Sequence, residues 1–137
     1  MFSTPKNSPW GMVEACDTLY PGVFMVSIEG HGGTMVSEHI AAILSPAAQK
    51  SGFKLGGYIC FEQNTHELVV QRELLDKKLW AIPGRVRDKA AFEENMNNIL
   101  RRHNPDYWRS RQKGLEQAQR RHNAPARQTA APAYDAR

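Results

Sequence analysis

Apolar residues in this chain gather in two short runs rich in β-branched and aromatic side chains. They are Val23-Phe24-Met25-Val26-Ser27-Ile28 and Tyr58-Ile59-Cys60-Phe61. Neither reaches helix length, and both are flanked by glycine, so they read as core strands. Elsewhere the apolar period changes. Leu68, Val69, Leu75 and Leu79 mark a helix from about residue 65 to 79. Phe92, Met96, Ile99 and Leu100 recur at steps of three and four and mark a second, from Asp88 to about His103. Polar punctuation fits the same scheme. Ser37 is placed to cap a helix over Glu38–Leu44, and Ser45-Pro46 to open a short one that stops at Ser51-Gly52. Asn64-Thr65-His66-Glu67 has the spacing of a capping box. Asn104-Pro105 breaks the second long helix, and a last helix opens at Pro105-Asp106 with Tyr107, Trp108, Arg111 and Leu115 on one side. The expected fold class is α+β: a small antiparallel sheet covered on one face by two or more amphipathic helices.

The segments around that core are poorer in pattern. Residues 1–9 carry two prolines among Ser, Thr and Asn and read as a flexible arm. Met12–Leu19 is mixed, and Tyr20-Pro21-Gly22 is a turn. A single domain is expected over 10–108, followed by a basic helix and tail over 109–137. From about residue 123 the composition is Ala, Pro, Arg, Gln and Thr, which cannot bury enough surface to order itself, so disorder is expected there.

Charge separates the same two regions. The chain is +4 overall, yet residues 1–100 hold nine Lys/Arg against eleven Asp/Glu, whereas residues 101–137 hold nine against three. The basic balance therefore belongs to the C-terminal segment. Arg101, Arg102, Arg109, Arg111, Lys113, Arg120 and Arg121 are its candidate contacts for an anionic partner such as RNA, DNA or an acidic protein face. Tyr107 and Trp108, at its root, read as anchors of the last helix to the core. Cys16 and Cys60 form no CxxC pair and read as reduced thiols, Cys60 as a small core residue. No secretory signal pattern and no run of 18 apolar residues is present, so no membrane partner is expected and a cytoplasmic protein is.

Ser27-Ile28-Glu29-Gly30-His31-Gly32-Gly33-Thr34 places one imidazole among three glycines after a strand. Gly30, Gly32 and Gly33 read as a structural turn, through positive φ or close backbone approach, with a short returning strand at Thr34–Val36. His31 supports two readings. It packs over the hairpin and holds the turn, or it acts as a binding or catalytic group with Cys60 or Glu62, and with Ser27 or Ser37 nearby. The histidines show no zinc spacing, and no Gly-Lys-Ser/Thr follows the glycines as a phosphate loop requires, so no metal or cofactor is expected.

Pro9-Trp10-Gly11, Pro21-Gly22-Val23, Val26-Ser27 and Gly30-His31-Gly32-Gly33 with Val36-Ser37 together resemble an uncharacterised domain family of bacteria, phages and plasmid-like mobile elements. Members of that family continue to an acidic run before a helix. Here Phe61-Glu62-Gln63-Asn64-Thr65 stands in that place: only Glu62 keeps the acid, and Asn64-Thr65 replaces an aspartate–cysteine pair. Arg102-His103-Asn104-Pro105-Asp106-Tyr107 resembles the family's ending, so the likeness covers about residues 9–108. It implies the fold and a mobile-element setting, and it carries no activity. The expected function is therefore a small non-catalytic accessory protein that binds a protein or ribonucleoprotein partner, an anti-CRISPR-like inhibitor of host defence being one version. The alternatives are a nucleic-acid-binding module using the basic tail, and a small hydrolase or transferase using His31 with Cys60 or Glu62.

Overall fold

The computed structural model describes residues 2–123. The tail expected to be disordered from about residue 123 lies outside the described residues. At the centre is a five-stranded antiparallel sheet in the order β3-β4-β5-β7-β6. Its strands are β3 (Ala15–Tyr20), β4 (Val23–Ile28), β5 (His31–Ser37), β6 (Phe53–Leu55) and β7 (Tyr58–Glu62). A separate two-stranded hairpin pairs β1 (Asn7–Ser8) with β2 (Gly11–Met12). A 3-10 turn over Glu38–Ile43 and four helices complete the described residues: α1 (Pro46–Ser51), α2 (Glu67–Asp76), α3 (Lys89–His103) and α4 (Pro105–Asn123). The α+β expectation holds.

The sheet is apolar on both sides, because its three inner strands alternate between two different cores. Val23, Val36, Ile59 and Phe61 point to one face, where Val69, Val70, Leu74, Met96, Leu100 and Tyr107 of the helices cover them. Phe24, Val26, Met35 and Cys60 point to the other, beneath Phe2, Trp10, Val13 and Tyr58. One-sided cover was expected from the sequence. The structure corrects this: Phe2, from the segment read as a flexible arm, joins Trp10 and Val13 in a lid over the second face, and Asn7–Ser8 lies in a strand.

Local signals explain most elements. Asp88 accepts from Ala91 N–H at 2.9 Å and starts α3. Ser45 accepts from Ala48 N–H at 3.2 Å and starts α1. Ser37 caps the following helix as read, although that helix is 3-10. Two edge strands were missed. In β3, Ala-Cys-Asp-Thr-Leu-Tyr is polar on both sides and exposed over much of its length, and β6 has only three residues, all exposed. Neither carries a period strong enough to read.

The glycine run is also corrected. The β-turn is Glu29-Gly30 alone, since Ile28 already pairs with His31. Gly30 has φ +70° and open space around it, whereas Gly32 and Gly33 lie inside β5. There the need is close approach. A Cβ on Gly33 would meet Phe61 O and the Trp10 ring, and one on Gly32 would meet Val26 O. Only the second of the two reasons given for these glycines therefore applies to Gly32 and Gly33.

Helix α2 departs from expectation at both ends. Only half the capping box forms: Glu67 Oε2 accepts from Asn64 N–H at 3.2 Å, but the residue flanking the helix is His66, and Asn64 itself sits in a turn at φ +70°. The helix stops at Asp76 and does not reach Leu79. Leu79 N–H donates to Leu74 O at 2.8 Å, Lys78 N–H to Leu75 O at 3.1 Å, and Lys78 takes φ +60°. This is a Schellman ending with lysine where glycine is usual, so sequence gave no warning of it.

Candidate functional site

His31, Cys60 and Glu62 do share one face of the sheet. His31 and Gly33 lie two apart on β5, Glu62 pairs with Gly33, and Cys60 pairs with Met35. The Trp10 ring packs on Gly33 between them and meets the His31 ring edge-on at 5.9 Å. Cys60 is fully buried, and burial pushes its thiol up to about 11, away from the thiolate that nucleophilic chemistry needs. His31 and Glu62 are exposed. Ser27 points to the opposite face, and Ser37 is buried and committed to capping. The sheet thus brings the three candidates to one face without assembling a nucleophile, base and acid in an open cleft.

The basic candidates divide by what they touch. Arg111 makes a two-pronged bond to Asp76 of α2, at 2.8 and 3.0 Å. Its guanidinium also lies 5.1 Å from the centre of the Trp108 ring, and that of Arg101 lies 5.2 Å from it. Both arginines therefore help fasten α4 to α2 and α3. Arg101 also donates to Asn98, and Arg109 pairs with Asp106 one turn away. Arg102, Lys113, Arg120 and Arg121 are exposed and have no hydrogen-bond or ion-pair partner among the described residues. Arg109, Lys113 and Arg120 recur at steps of four and seven, so they form one stripe along α4. Tyr107, Arg111 and Leu115 lie on the other side. Every residue from Gln112 to His122 is exposed, so about 16 Å of helix stands clear of the body.

A cleft that the sequence did not reveal lies where the helices meet. Lys50 and Ser51 at the end of α1, His66 before α2, His103 at the end of α3 with Asn104 after it, and Ser110 on α4 line a space of about 670 Å³. Its members come from four elements, so no spacing could have found it. The His66 ring is oriented by Thr65, whose hydroxyl lies 3.1 Å from its Nδ1.

Buried carboxylates were also missed. Glu67 is 8 % exposed, receives the Thr34 hydroxyl at 3.2 Å, and has its pKa raised by burial, against the opposing pull of the Asn64 N–H and the Thr34 hydroxyl. Glu73 accepts from Ser45 N–H at 2.6 Å, from Tyr107 Oη at 2.8 Å and from Lys77 Nζ at 3.2 Å. Burial, and then the Glu73 charge, push the Tyr107 phenol up, so it stays a hydrogen-bond donor. Among the described residues no group of three or more His, Cys, Asp or Glu is placed to hold a metal ion, and no helix is long and apolar enough to cross a membrane.

The chain is thus an α+β protein with a twice-covered sheet, a helical layer tied by partly buried ionic contacts, and a projecting basic helix. It belongs to the domain-of-unknown-function family DUF7007, which matches residues 3–133. That stretch takes in the N-terminal lid and the whole of α4, beyond the 9–108 covered by the resemblance in sequence. No curated protein and no solved structure matches the chain.

Proposed function

We infer that this protein is a non-catalytic accessory protein that works by docking on a macromolecular partner bearing negative charge. The observation that carries the reading is the outward face of α4: Lys113, Arg120 and Arg121 are exposed without a partner among the described residues, on a helix that stands clear of the body. Cations presented in this way lose little on binding, because no internal ion pair has to be broken first. The family resemblance supports the finer form: an accessory protein of a phage or mobile element, acting in the bacterial cytoplasm on a protein or ribonucleoprotein, with anti-CRISPR-like inhibition of host defence as one version. Its nucleic-acid form, in which α4 contacts phosphates directly, is favoured by arginine content on the same face. The hydrolase or transferase alternative has less support, because Cys60 is buried with a raised thiol pKa.

The test is a triple variant, Lys113→Glu with Arg120→Glu and Arg121→Glu. Retention of partners from a bacterial lysate, and binding to single-stranded RNA and duplex DNA, are measured over a range of salt. Wild type is expected to bind in a salt-dependent way, and the variant to bind at least about tenfold more weakly with a shallower salt slope. Equal binding by both proteins at every salt concentration overturns the reading. Loss on RNA and DNA alone selects the nucleic-acid form.

A further inference from the structure

The cleft at the helix junction concentrates one kind of chemistry. Lys50, His66 and His103 bring three nitrogen bases to it from three different elements. Neither Lys50 nor His103 has a hydrogen-bond or ion-pair partner among the described residues, and His66 uses only Nδ1, toward Thr65, which leaves Nε2. Asp106 is the one acid in the lining, and it is engaged by Arg109. Ser110 also lines the cleft with a hydroxyl, whereas the Ser51 hydroxyl is committed to Ala48 O at 2.7 Å. Asn104 and Tyr107 are the buried members of the lining, and the Tyr107 hydroxyl is committed to Glu73, which leaves Asn104, 6 % exposed. Its amide reaches one protein acceptor, Thr65 O, at 3.5 Å, beyond the usual range, so a buried donor in the lining has capacity to spare. Pro105, which has no N–H, opens α4 at the same place; Trp108 N–H already donates to Asn104 O at 2.9 Å, so only Asp106 and Tyr107 bring N–H groups without a partner within the helix. A lysine, two imidazoles, the Ser110 hydroxyl and a poorly satisfied amide around one cavity match an oxyanion carried on a small group.

We propose that this cleft is a binding site for a phosphate group, held by Lys50, His66, His103 and Asn104. The lining is polar and the space is larger than phosphate alone needs, so the group is carried on a larger molecule. A mononucleotide and the backbone of a nucleic acid are the two sources of that chemistry. The site is separate from the outward stripe of α4, and it stands or falls apart from the docking reading above.

The experiment titrates the full chain, labelled with ¹⁵N, with three probes: inorganic phosphate, a nucleoside monophosphate and a short single-stranded RNA. Inorganic phosphate is expected to move the amide signals of residues 50, 51, 66, 103, 104, 106 and 110 along a saturating curve, and the monophosphate to do so at lower concentration. Lys50→Glu, at an exposed position, should weaken phosphate binding at least about tenfold. His103→Gln should weaken it by a smaller factor, and Lys113→Glu on the stripe should leave it unchanged. Should His66→Gln disturb folding, Lys50→Glu and Ser110→Glu still decide the matter, since both act from the surface. If RNA competes with phosphate at these signals, the source is a nucleic-acid backbone. If it does not, the source is a small phosphate ester. The proposal is overturned if no probe moves these signals, or if Lys50→Glu and Ser110→Glu bind phosphate as wild type does.

Discussion

Gly33 is where the N-terminal cover and the neighbouring strand constrain a single atom. Its missing side chain lets the Trp10 ring lie on β5 and lets β7 approach with Phe61 O. Gly30, two turns of the pleat away, is glycine only for its φ of +70°. The two substitutions therefore differ in kind. Gly33→Val should cost about 3 kcal/mol, since neither backbone nor an indole wedged above it can move cheaply. Gly30→Ala should cost about 1 kcal/mol, the strain of a left-handed residue with room around it. Urea unfolding of both variants checks the ordering, and a larger loss at Gly30 would reverse the assignment. Glu67 makes a pH prediction at the same scale. Burial raises its folded pKa above the ordinary carboxylate value of 4.5, so the folded state holds a proton that the unfolded state has released. Between those two values stability falls as pH rises, and its contribution is fully present only below the lower one. Wild type should therefore gain stability relative to Glu67→Gln as pH falls through the folded pKa toward 4.5. A difference between the two proteins that stays flat all the way down to 4.5 would show that burial does not raise the Glu67 carboxyl.

Helix α4 illustrates how a weakly patterned element is held. Its outer half has nothing to bury, so its place is set by Tyr107, Trp108 and Arg111 in the first two turns. Tyr107 reaches Glu73, Arg111 reaches Asp76, and Asp76 also pairs with Arg72 at 3.0 Å. Arg72 in turn binds Glu93 at 2.7 Å and Asn97 at 2.9 Å, so one chain of charges links α2, α3 and α4. Tyr107→Phe keeps the ring and removes one donor from a buried carboxylate, and should cost about 1–2 kcal/mol. Thermal unfolding measures it, and a variant as stable as wild type would mean that Glu73 is satisfied without the phenol. This layer was half legible in the sequence. The apolar periods of α2 and α3 and the caps at Ser45 and Asp88 are local, and local signals survive in a single chain. Lys78 in the left-handed position, Glu73 beneath Tyr107 and the Lys50–His66–His103 cleft depend on residues far apart in sequence. Nothing in their spacing announces them. His31 stands among glycines, yet Gly33 answers to Trp10 and Phe61, Gly32 to Val26 O, and Gly30 to its positive φ.

The whole molecule is a sheet between two unequal covers, one of four helices and the other of little more than a dozen N-terminal residues. The thinner cover hides a chemical reporter. Cys60 is fully buried under it, while Cys16 on β3 is partly accessible, and both are free thiols. Burial raises both thiols, to about 11 for Cys60 and less far for Cys16, where the Asp17 charge adds to the effect. In wild type, a thiol reagent should therefore label Cys16 first and reach Cys60 only when the lid opens. Trp10→Ala removes the indole from Gly33 together with its edge contacts to His31 and Phe53, at 5.9 and 6.4 Å. Removing a half-buried indole should cost about 2 kcal/mol, and because it weakens the lid locally, Cys60 labelling should speed up at least about tenfold. Tyr107→Phe, a change of similar size in the opposite layer, should leave that rate nearly as in wild type under strongly native conditions. Mass spectrometry of the labelled peptides separates the two cysteines. If both variants accelerate Cys60 equally, the thiol is reached by global unfolding and the N-terminal lid opens only together with the helices. If Trp10→Ala alone does so, the lid is a separately opening unit, and the face carrying His31 and Glu62 is the part of the fold that a partner can remodel at least cost.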